Sequence, residues 1–249
     1  MWFGGADAVR FLNDLISQDI GDMETGETRR SFLLGPQGKL DFLLWVIRDR
    51  ERIGLVTDGG RGDDLAAALG RYRIRVDVAI QPEPGDVWLI VGEGEGFDVS
   101  WPGVTRRLVI GERPDLRVGA PDEYERLRVE AGEPAWGVDV DHGTIPHESG
   151  LVAVSVDFTK GCFLGQELVA RIDSRGGNVP WHLRIVEAAD GALQPGATLM
   201  ADGKEVGRVT SAAGRVGLAS VRREVEVGAQ VEVAGATAVV KALPDKSPG

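Results

Sequence analysis

The chain has 249 residues, and its 28 lysines and arginines against 39 aspartates and glutamates give a formal net charge of −11 at pH 7. This acidic balance argues against strong, unspecific binding to a nucleic-acid backbone, although a local basic run at Arg71–Arg75 is compatible with it. One cysteine excludes an intramolecular disulfide, and because no leader and no apolar run of roughly 18–20 residues is found, we expect a cytoplasmic protein with no membrane partner.

The first half of the chain predicts a helix followed by a strand-rich unit. Apolar residues recur at helical spacing in "ADAVRFLNDLISQDI" (6–20), with Asp7 near the positive end of the helix dipole. The turn signal "GPQG" then joins two strand-like runs, "RRSFLL" and "KLDFLLWVIRD". From Lys39 to Gly92 the predicted order is β-β-α-β-β, and its helix is opened by Asp63 and Asp64.

The second half predicts two helices and then a set of short strands. One helix covers "DEYERLRVEAG" and ends before Gly132, and another begins near Gln166 and ends at Gly176–Gly177. After Pro180, alternating strands are separated by Gly and Asp-Gly turns, a pattern typical of a small antiparallel barrel or sandwich. The tail "PDKSPG" is expected to be mobile.

Several kinds of metal and cofactor site lack the residues they need. The potential soft ligands are the one cysteine and three histidines, His142, His147 and His182, and this set does not predict a dedicated zinc site. Four cysteines usually hold an iron–sulfur cluster, so this chain alone is not expected to bind one stably. The glycines of "GEGEG" (Gly92–Gly96) are not followed by a helix, which excludes a dinucleotide fingerprint or a P-loop and favours an exposed loop.

The only cysteine, Cys162, lies in "TKGCFLGQELVARID" (159–173), and its neighbours support two interpretations. In the first, Cys162 is a small buried hydrophobic residue beside Phe163. In the second, Lys160 and the N-terminus of the following helix favour the thiolate and make the cysteine reactive. Glu167 disfavours the thiolate, so spacing by itself leaves both interpretations open.

The stretch "KGCFLGQELVAR" resembles the signature Lys-Gly-Cys-(Phe/Tyr)-x-Gly-Gln-Glu-x-x-x-(Arg/Lys) of the YgfZ family of folate-binding proteins, which are relatives of the glycine cleavage system T-protein. The opening helix and the hairpin "LLGPQGKLDFLLWVIRD" look like those of the family's first domain. The segment "RLRVEAGEPAWGVDV…TIPHESGL" resembles a family stretch with the pattern Arg-x-Glu-x-Gly-x-Pro…Pro-x-Glu, and "DGKEVGRVTSA" resembles the C-terminal barrel. The resemblance therefore covers nearly the whole chain.

This resemblance implies an α+β fold with three domains, arranged like a clover-leaf around a central cavity that binds tetrahydrofolate or a derivative. The first domain is implied to be discontinuous, formed by 1–40 and 112–178 and carrying the cysteine motif. A ferredoxin-like β-β-α-β-β domain is inserted at 41–111, and a small antiparallel β-barrel covers 179–249.

The resemblance also suggests which residues bind the folate. A pterin ring presents N–H donors that a carboxylate accepts in bidentate fashion, as Glu or Asp does at a nucleobase edge. By resemblance the carboxylates are Glu130 and Glu148, with Arg128 beside them. The ordinary alternative for each is a surface or salt-bridge role.

Within the motif, Cys162 is expected to be the functional thiol at the mouth of the folate cavity. Gly161 and Gly165 are predicted to keep its approach free of bulky side chains, and Lys160 is predicted to favour its thiolate. The remaining polar residues of the motif, expected to contact folate or the thiol, are Gln166, Glu167 and Arg171. A solvated helix face is the ordinary alternative for Arg171.

Two departures from the family pattern matter. The T-protein carries a catalytic aspartate on the strand after the glycine turn, where this chain has Leu43. Asp41 lies two residues earlier, hence on the same face of a regular strand, and would take the folate-facing position if the register slips. Family members also have a longer stretch before the first helix that contributes a strand, whereas Met1 lies almost at the helix here. Either the start is trimmed or the chain does without that strand.

The implied function is a folate-dependent accessory factor for iron–sulfur enzymes, linked indirectly to tRNA modification. Its partners would be folate and iron–sulfur client enzymes or their assembly machinery. The alternative is aminomethyl or one-carbon transfer, which needs the carboxylate that Leu43 does not supply, so we expect no working aminomethyltransferase. In a third interpretation the protein is a plain binding module with a structural Cys162. Cysteine hydrolase chemistry is disfavoured because the motif holds no histidine.

Overall fold

The computed structural model describes residues 1–83 and 85–244. In these ranges the chain forms fourteen strands, five α-helices and a 3-10 helix, Pro146–Ser149. The α-helices are α1 (Ala8–Asn13), α2 (Gly62–Gly70), α3 (Pro121–Glu130), α4 (Val152–Ser155) and α5 (Gln166–Asp173). The strands are β1 (Trp2–Gly4), β2 (Thr28–Leu34), β3 (Leu40–Asp49), β4 (Arg52–Val56), β5 (Ala79–Gln81), β6 (Val87–Val91), β7 (Phe97–Asp98), β8 (Arg106–Ile110), β9 (Trp181–Ala188), β10 (Thr198–Ala201), β11 (Lys204–Ala213), β12 (Val216–Arg222), β13 (Gln230–Val233) and β14 (Ala236–Lys241). The predicted α+β class is confirmed.

The chain divides into two compact units, each formed by two separate stretches of sequence. Unit 1 comprises Met1–Leu116 and Val152–Ala170, and unit 2 comprises Arg117–Leu151 and 171–244. The three-domain division inferred from the sequence stays a prediction. Most of the tail that was expected to be mobile, residues 245–249, lies outside the described residues. No helix in the described ranges combines the length and the apolar character that a bilayer crossing requires.

Unit 1 is built on a five-stranded antiparallel sheet with the strand order β2-β3-β4-β1-β5. The predicted hairpin is confirmed, because β2 and β3 pair along their length around the "GPQG" turn. This pairing crosses the domain boundary predicted after residue 40. Strand β1, which the sequence pattern did not indicate, pairs with β4 on one side and with β5 on the other. The first residues of the chain therefore lie inside the sheet.

Helix α1 is shorter than its apolar spacing predicts. It ends at Asn13, and Ile16 instead forms an isolated bridge with Leu33 of β2. The ammonium of Lys160 donates to the carbonyl oxygens of Asn13, Ile16 and Gln18. Because a lysine far along the chain satisfies these acceptors, the segment after Asn13 does not need a continued helix to pair them.

The predicted β-β-α-β-β order is found, but its last strand belongs to a second sheet. Strand β6 pairs with β8 in a three-stranded antiparallel sheet of order β6-β8-β7. The two sheets share an apolar cluster that contains Trp2, Ile47, Val99 and Leu108. The glycine-rich loop Gly92–Gly96 between β6 and β7 is largely exposed, as predicted.

Unit 2 is dominated by a closed, six-stranded antiparallel barrel with the order β10-β11-β12-β9-β14-β13, which confirms the predicted C-terminal barrel. Small and branched apolar residues fill its interior. Helix α3 packs on the outer side, where Val129 is buried with Leu183 and Leu218 of the barrel strands. The next residue toward the N-terminus, Arg128, is thereby placed at the barrel wall.

Candidate functional site

The signature cysteine lies on a loop between α4 and α5, in unit 1. Cys162 is exposed, whereas its neighbour Phe163 is buried, so burial does not explain the cysteine. Asp157 shapes the start of the loop: its Oδ1 accepts the backbone N–H of Thr159 at 2.6 Å and of Lys160 at 3.2 Å, and the Thr159 hydroxyl at 2.7 Å. These hydrogen bonds, led by the Thr159 hydroxyl, lower the pKa of Asp157. The carboxylate that holds this turn is therefore ionised at neutral pH.

Lys160 holds the cysteine loop against the segment that follows α1. Its Nζ lies 2.7, 2.9 and 2.8 Å from the carbonyl oxygens of Asn13, Ile16 and Gln18, and 3.1 Å from Asn13 Oδ1. Burial lowers the pKa of Lys160 to about 8, against the opposing charge of nearby aspartates, so the amine is still mainly protonated at pH 7. An ammonium has three N–H donors, and these four oxygens engage all of them. The N–H donors of Lys160 thus serve the segment after α1, and the prediction that its charge favours a thiolate at Cys162 stays a prediction.

The second glycine of the motif is required by packing. Gly165 has a φ of +76°, and a Cβ there would lie 2.7 Å from the carbonyl oxygen of Gly35 and 2.9 Å from the Cβ of Leu34. At Gly161, by contrast, a Cβ would meet no heavy atom within 4 Å. The open space predicted on both sides of the cysteine is therefore present only at Gly161, whereas Gly165 lets the loop touch the turn between β2 and β3.

The other polar residues of the motif differ in their use. Gln166, the first residue of α5, accepts the backbone N–H of Phe163 through its Oε1 at 3.0 Å and so braces the cysteine loop. Glu167 and Arg171 are exposed, and their side chains form no hydrogen bond or ion pair with any residue that the structure describes. They are the polar groups of the motif without an internal partner.

Arg128 lies in unit 2 with only 4% of its side chain exposed. Its Nε and Nη2 donate to the carboxylate of Glu125, its Nη1 donates to the Glu133 carbonyl at 2.7 Å and to Asp139 at 2.6 Å, and Nη2 also donates to Ser211 Oγ at 2.7 Å. Burial acts to lower the pKa of Arg128, but the bonds to Glu125 and Asp139 outweigh it and the pKa is raised. All five N–H donors of the guanidinium are used. The predicted contact with folate would need a donor that this side chain does not have free.

Asp139 is the partner that sequence reasoning missed. Its side chain is fully buried, and it accepts hydrogen bonds from the backbone N–H of Ala135 and from the hydroxyls of Thr210 and Ser211. Arg128 and Ser211 are 83 residues apart in sequence, so no local pattern announces their contact. We refer to Arg128, Asp139, Thr210 and Ser211 as the Arg128 network; it ties α3 to strand β11 of the barrel.

The two carboxylates expected to bind the pterin edge, Glu130 and Glu148, both belong to unit 2 but have different surroundings. Glu130 is the last residue of α3, and its exposed carboxylate lies 3.6 Å from Arg126 Nε. Glu148 is half-buried in the 3-10 helix, and its Oε2 accepts the backbone N–H of Ile145 at 3.0 Å. Glu148 is thus held in place by the turn it caps, and Glu130 is the more accessible of the two.

His147, next to Glu148, has a buried ring without a hydrogen bond. Only 7% of its side chain is exposed, and neither Nδ1 nor Nε2 has a hydrogen-bond partner among residues 1–83 and 85–244. Asp173 Oδ1, at the end of α5, lies 3.8 Å from Nε2, beyond hydrogen-bonding distance. Burial lowers the pKa of His147 and the Asp173 carboxylate offsets only part of this effect, so the ring is neutral at pH 7.

Leu43, which the resemblance assigns to the position of the T-protein aspartate, is packed in the interior of unit 1. The β2–β3 register shifts between Leu33 and Leu34, which leaves Asp41 as the unpaired residue of a β-bulge. A bulge re-aims side chains, so the regular alternation used to place Asp41 on the face of Leu43 does not apply. The Asp41 carboxylate lies 4.0 Å from Arg61 Nη2.

The three histidines lie in separate surroundings. His142 makes an edge-to-face contact with Trp136, His147 lies in the 3-10 helix, and His182 lies on β9, where burial and then the charge of Arg184 lower its pKa. In the part of the chain that the structure describes, no group of three or more histidine, cysteine, aspartate or glutamate side chains is arranged to hold a metal ion.

Comparisons with known proteins give one match to the barrel alone and further matches to most of the chain. The family model of the CAF17 C-terminal beta-barrel domain matches residues 177–249. The iron-sulfur cluster assembly factor IBA57, mitochondrial, of Homo sapiens is 27% identical over 263 residues, which cover 86% of this chain and 72% of the human protein. The tRNA-modifying protein YgfZ of Escherichia coli O157:H7 is 23% identical over 211 residues, covering 70% of this chain and 65% of that protein.

A solved structure gives the fold independently of these sequences. The crystal structure of glycine cleavage system aminomethyltransferase T from Bartonella henselae matches with a TM-score of 0.80, at 19% identity, over 98% of this chain and 82% of that chain. At this identity the likeness shows the fold alone, and it confirms the T-protein-like fold that the resemblance implied. The chain is therefore similar to the IBA57 and YgfZ proteins, which agrees with the family resemblance of its cysteine signature.

Proposed function

We propose that the protein is a folate-binding accessory factor that supports the assembly, repair or activity of iron–sulfur enzymes and thereby affects tRNA modification indirectly. The names of the human and Escherichia coli relatives, an iron-sulfur cluster assembly factor and a tRNA-modifying protein, support this class of role. Its partners are then iron–sulfur clients or the assembly machinery. The cytoplasmic location stays a prediction.

The observation that carries the proposal is the construction of the cysteine loop. Cys162 is exposed, while the residues around it are fixed by the Asp157 turn, the Lys160 hydrogen bonds and the Gln166 brace. Several internal hydrogen bonds thus hold one thiol at the surface in a defined position. Such preorganisation suits a thiol that must meet a cluster or a client cysteine.

Tetrahydrofolate, or a derivative, is the cofactor we propose. Glu148 and Glu130 are the preferred carboxylates for the pterin edge, because the first is held by its own turn and the second is accessible. Arg171, with no internal partner among the described residues, is the candidate for the negatively charged glutamate tail. Arg128 supports these positions indirectly, since it secures the helix that ends at Glu130.

The role of Cys162 is tested by Cys162→Ala and Cys162→Ser in cells that lack the protein. Because the side chain is small and exposed, the melting temperature and the folate affinity should be essentially unchanged, while the activity of an iron–sulfur enzyme is no longer restored. If both variants restore that activity fully, Cys162 is not the functional thiol. If both unfold readily, its role is structural.

Folate binding is tested by calorimetric titration of tetrahydrofolate. Glu148→Gln and Glu130→Gln should each weaken binding by about 1–3 kcal/mol, because an amide cannot accept two N–H groups in the way a carboxylate does. Glu224→Gln, at an exposed barrel turn, is the control and should bind like the unchanged protein. Equal affinity in all four proteins would remove both carboxylates from the folate site.

Aminomethyl transfer is the alternative function, and the buried Leu43 speaks against it. We expect no folate-dependent turnover when the chain is assayed with the other glycine cleavage components. Turnover that Asp41→Asn abolishes would reverse this conclusion, since it would make Asp41 the missing acid.

A further inference from the structure

The loop between α2 and β5 carries the most basic surface segment of an acidic protein. Residues Arg71–Arg75 read Arg-Tyr-Arg-Ile-Arg, and no acidic residue occurs between Asp64 and Asp77. None of the three arginines forms an ion pair or a side-chain hydrogen bond with any residue of the described ranges. In a chain with a net charge of −11, three neighbouring arginines without internal partners need an explanation.

The same loop exposes apolar side chains between these arginines. Ile74 is 71% exposed and Tyr72 is 38% exposed. Arginine and tyrosine are enriched at the energetic centres of protein–protein interfaces, and an adjacent exposed aliphatic side chain adds area to bury. The combination differs from an ordinary solvated charge run, in which the residues between the charges are polar.

Backbone hydrogen bonds order part of this loop. The backbone N–H groups of Tyr72, Arg73 and Ile74 donate to the carbonyls of Leu69, Gly70 and Tyr72 at 3.0, 3.2 and 2.8 Å. Leu69 and Val78 anchor the two ends in the interior. Arg75 has a φ of +55°, a left-handed conformation that is uncommon outside glycine and concentrates at functional positions. A surface ordered before binding loses less entropy when a partner docks.

Capping of α2 accounts for only one of the arginines. Arg71 is the C-cap of that helix, where a positive charge complements the helix dipole. Arg73 and Arg75 lie beyond the last turn, where this effect has faded. Their positive charge, and the exposure of Ile74, are left without a use inside the described part of unit 1.

We propose that the loop Arg71–Arg75, here called the arginine loop, is a docking surface for a second protein whose contacting segment combines acidic and apolar side chains. Acidic groups are indicated by the unpaired arginines, and apolar groups by Ile74 and Tyr72. A protein is favoured over nucleic acid because the net charge of −11 repels an extended polyanion, while a short acidic segment contacts the loop within a Debye length of about 8–10 Å. This inference goes beyond the proposed function and does not depend on folate or on Cys162.

The test measures binding of the purified, full chain to a short fluorescein-labelled peptide of alternating glutamate and leucine, by fluorescence anisotropy at low salt. Arg71→Glu/Arg73→Glu/Arg75→Glu should weaken binding by about tenfold or more. Ile74→Ser should weaken it by about tenfold even when added salt screens the charges, because it removes buried apolar area. Arg73→Glu/Arg75→Glu leaves the helix cap intact and should still lose most of the binding.

The matched control is Arg10→Glu/Arg50→Glu/Arg113→Glu, which changes the net charge equally at exposed arginines outside the loop and should bind the peptide like the unchanged protein. The proposal is overturned if the arginine-loop and control variants lose binding equally. It is also overturned if an oligouridylate of similar length binds the loop more tightly than the peptide, which would make the loop a nucleic-acid surface. The proposal is overturned as well if the unchanged chain self-associates in sedimentation and the arginine-loop variant does not, because the occupant is then a second copy of the chain.

Discussion

Cys162 and Arg128 lie in the two sequence segments that carry the family resemblance, yet their surroundings are opposite. The cysteine loop is fixed by hydrogen bonds of Asp157, Lys160 and Gln166, whereas Cys162 itself is exposed. Around Arg128, every donor of the residue is consumed inside the protein. A residue of such a segment can therefore be left exposed at the surface or can hold other elements together, and its hydrogen-bond partners distinguish the two.

Among the variants proposed here, we expect substitution of Arg128 to have the largest effect on the free energy of unfolding. Arg128→Met should lower the free energy of unfolding by about 3–5 kcal/mol, because it leaves the carboxylate of Asp139 buried without its cation. Arg126→Met, an exposed neighbour whose ion pair with Glu130 is on the surface, should change stability by no more than about 0.5 kcal/mol. Urea unfolding of both variants measures the difference. If Arg128→Met leaves stability unchanged and weakens folate binding, Arg128 belongs to the site after all.

Gly161 and Gly165, on either side of Cys162, should differ in how much stability an alanine substitution costs. Gly165→Ala should cost about 1–3 kcal/mol, because its Cβ would overlap the carbonyl oxygen of Gly35 in a left-handed backbone conformation. Gly161→Ala meets open space and should change stability by less than about 0.5 kcal/mol. Melting temperatures compare the pair. Similar melting temperatures for both variants would mean that the turn between β2 and β3 can move to accept the added Cβ with no loss of stability.

The smallest expected effect is the pH dependence contributed by His147. Because its pKa is lowered on folding, the unfolded chain binds this proton more readily, and the free energy of unfolding falls as pH drops below about 6.5. From pH 7 to 5.5 the unchanged protein should lose up to about 1 kcal/mol more than His147→Phe. His182 titrates in the same direction in both proteins, so its contribution cancels in the comparison.

A nuclear magnetic resonance titration of the imidazole protons provides the direct readout for His147. Asp173→Asn removes the carboxylate 3.8 Å from Nε2 and should lower the pKa of His147 further. An unchanged titration in Asp173→Asn would show that this carboxylate does not act on the ring.

Local patterns predicted the elements of this fold well, and tertiary contacts account for the misses. The "GPQG" hairpin, the start of α5 at Gln166 and the barrel strands after Pro180 depend on turn chemistry and alternation, which are readable in a short window. The end of α1 depends on Lys160, whose acceptors lie 142–147 residues away. Strand β1 is defined by its neighbours β4 and β5 rather than by its own three residues.

The same distinction applies to the candidate site. The resemblance identified the cysteine loop as one segment, and the structure gives internal roles to Lys160 and Gln166 within it. Only some partners of Arg128 could be read from its segment: Glu125, Glu133 and Asp139 are near in sequence, whereas the contact with Ser211 spans 83 residues. The position of Asp41 could not be read from regular alternation, because a β-bulge interrupts the β2–β3 register at this residue; its predicted role stays a prediction.

The interleaving of the two units along the chain has a consequence for how the protein is made. A ribosome delivers Arg117–Leu151, the first part of unit 2, before Val152–Ala170, the last part of unit 1. Arg128 of α3 can form its hydrogen bond with Ser211 only after strand β11 has been synthesised. The buried cation and its helix are thus left without their barrel partner during synthesis, a period in which a nascent chain is open to aggregation and to chaperones. Unit 1 can close as soon as the cysteine loop has emerged, so the exposed thiol is expected to be in place before the barrel is complete.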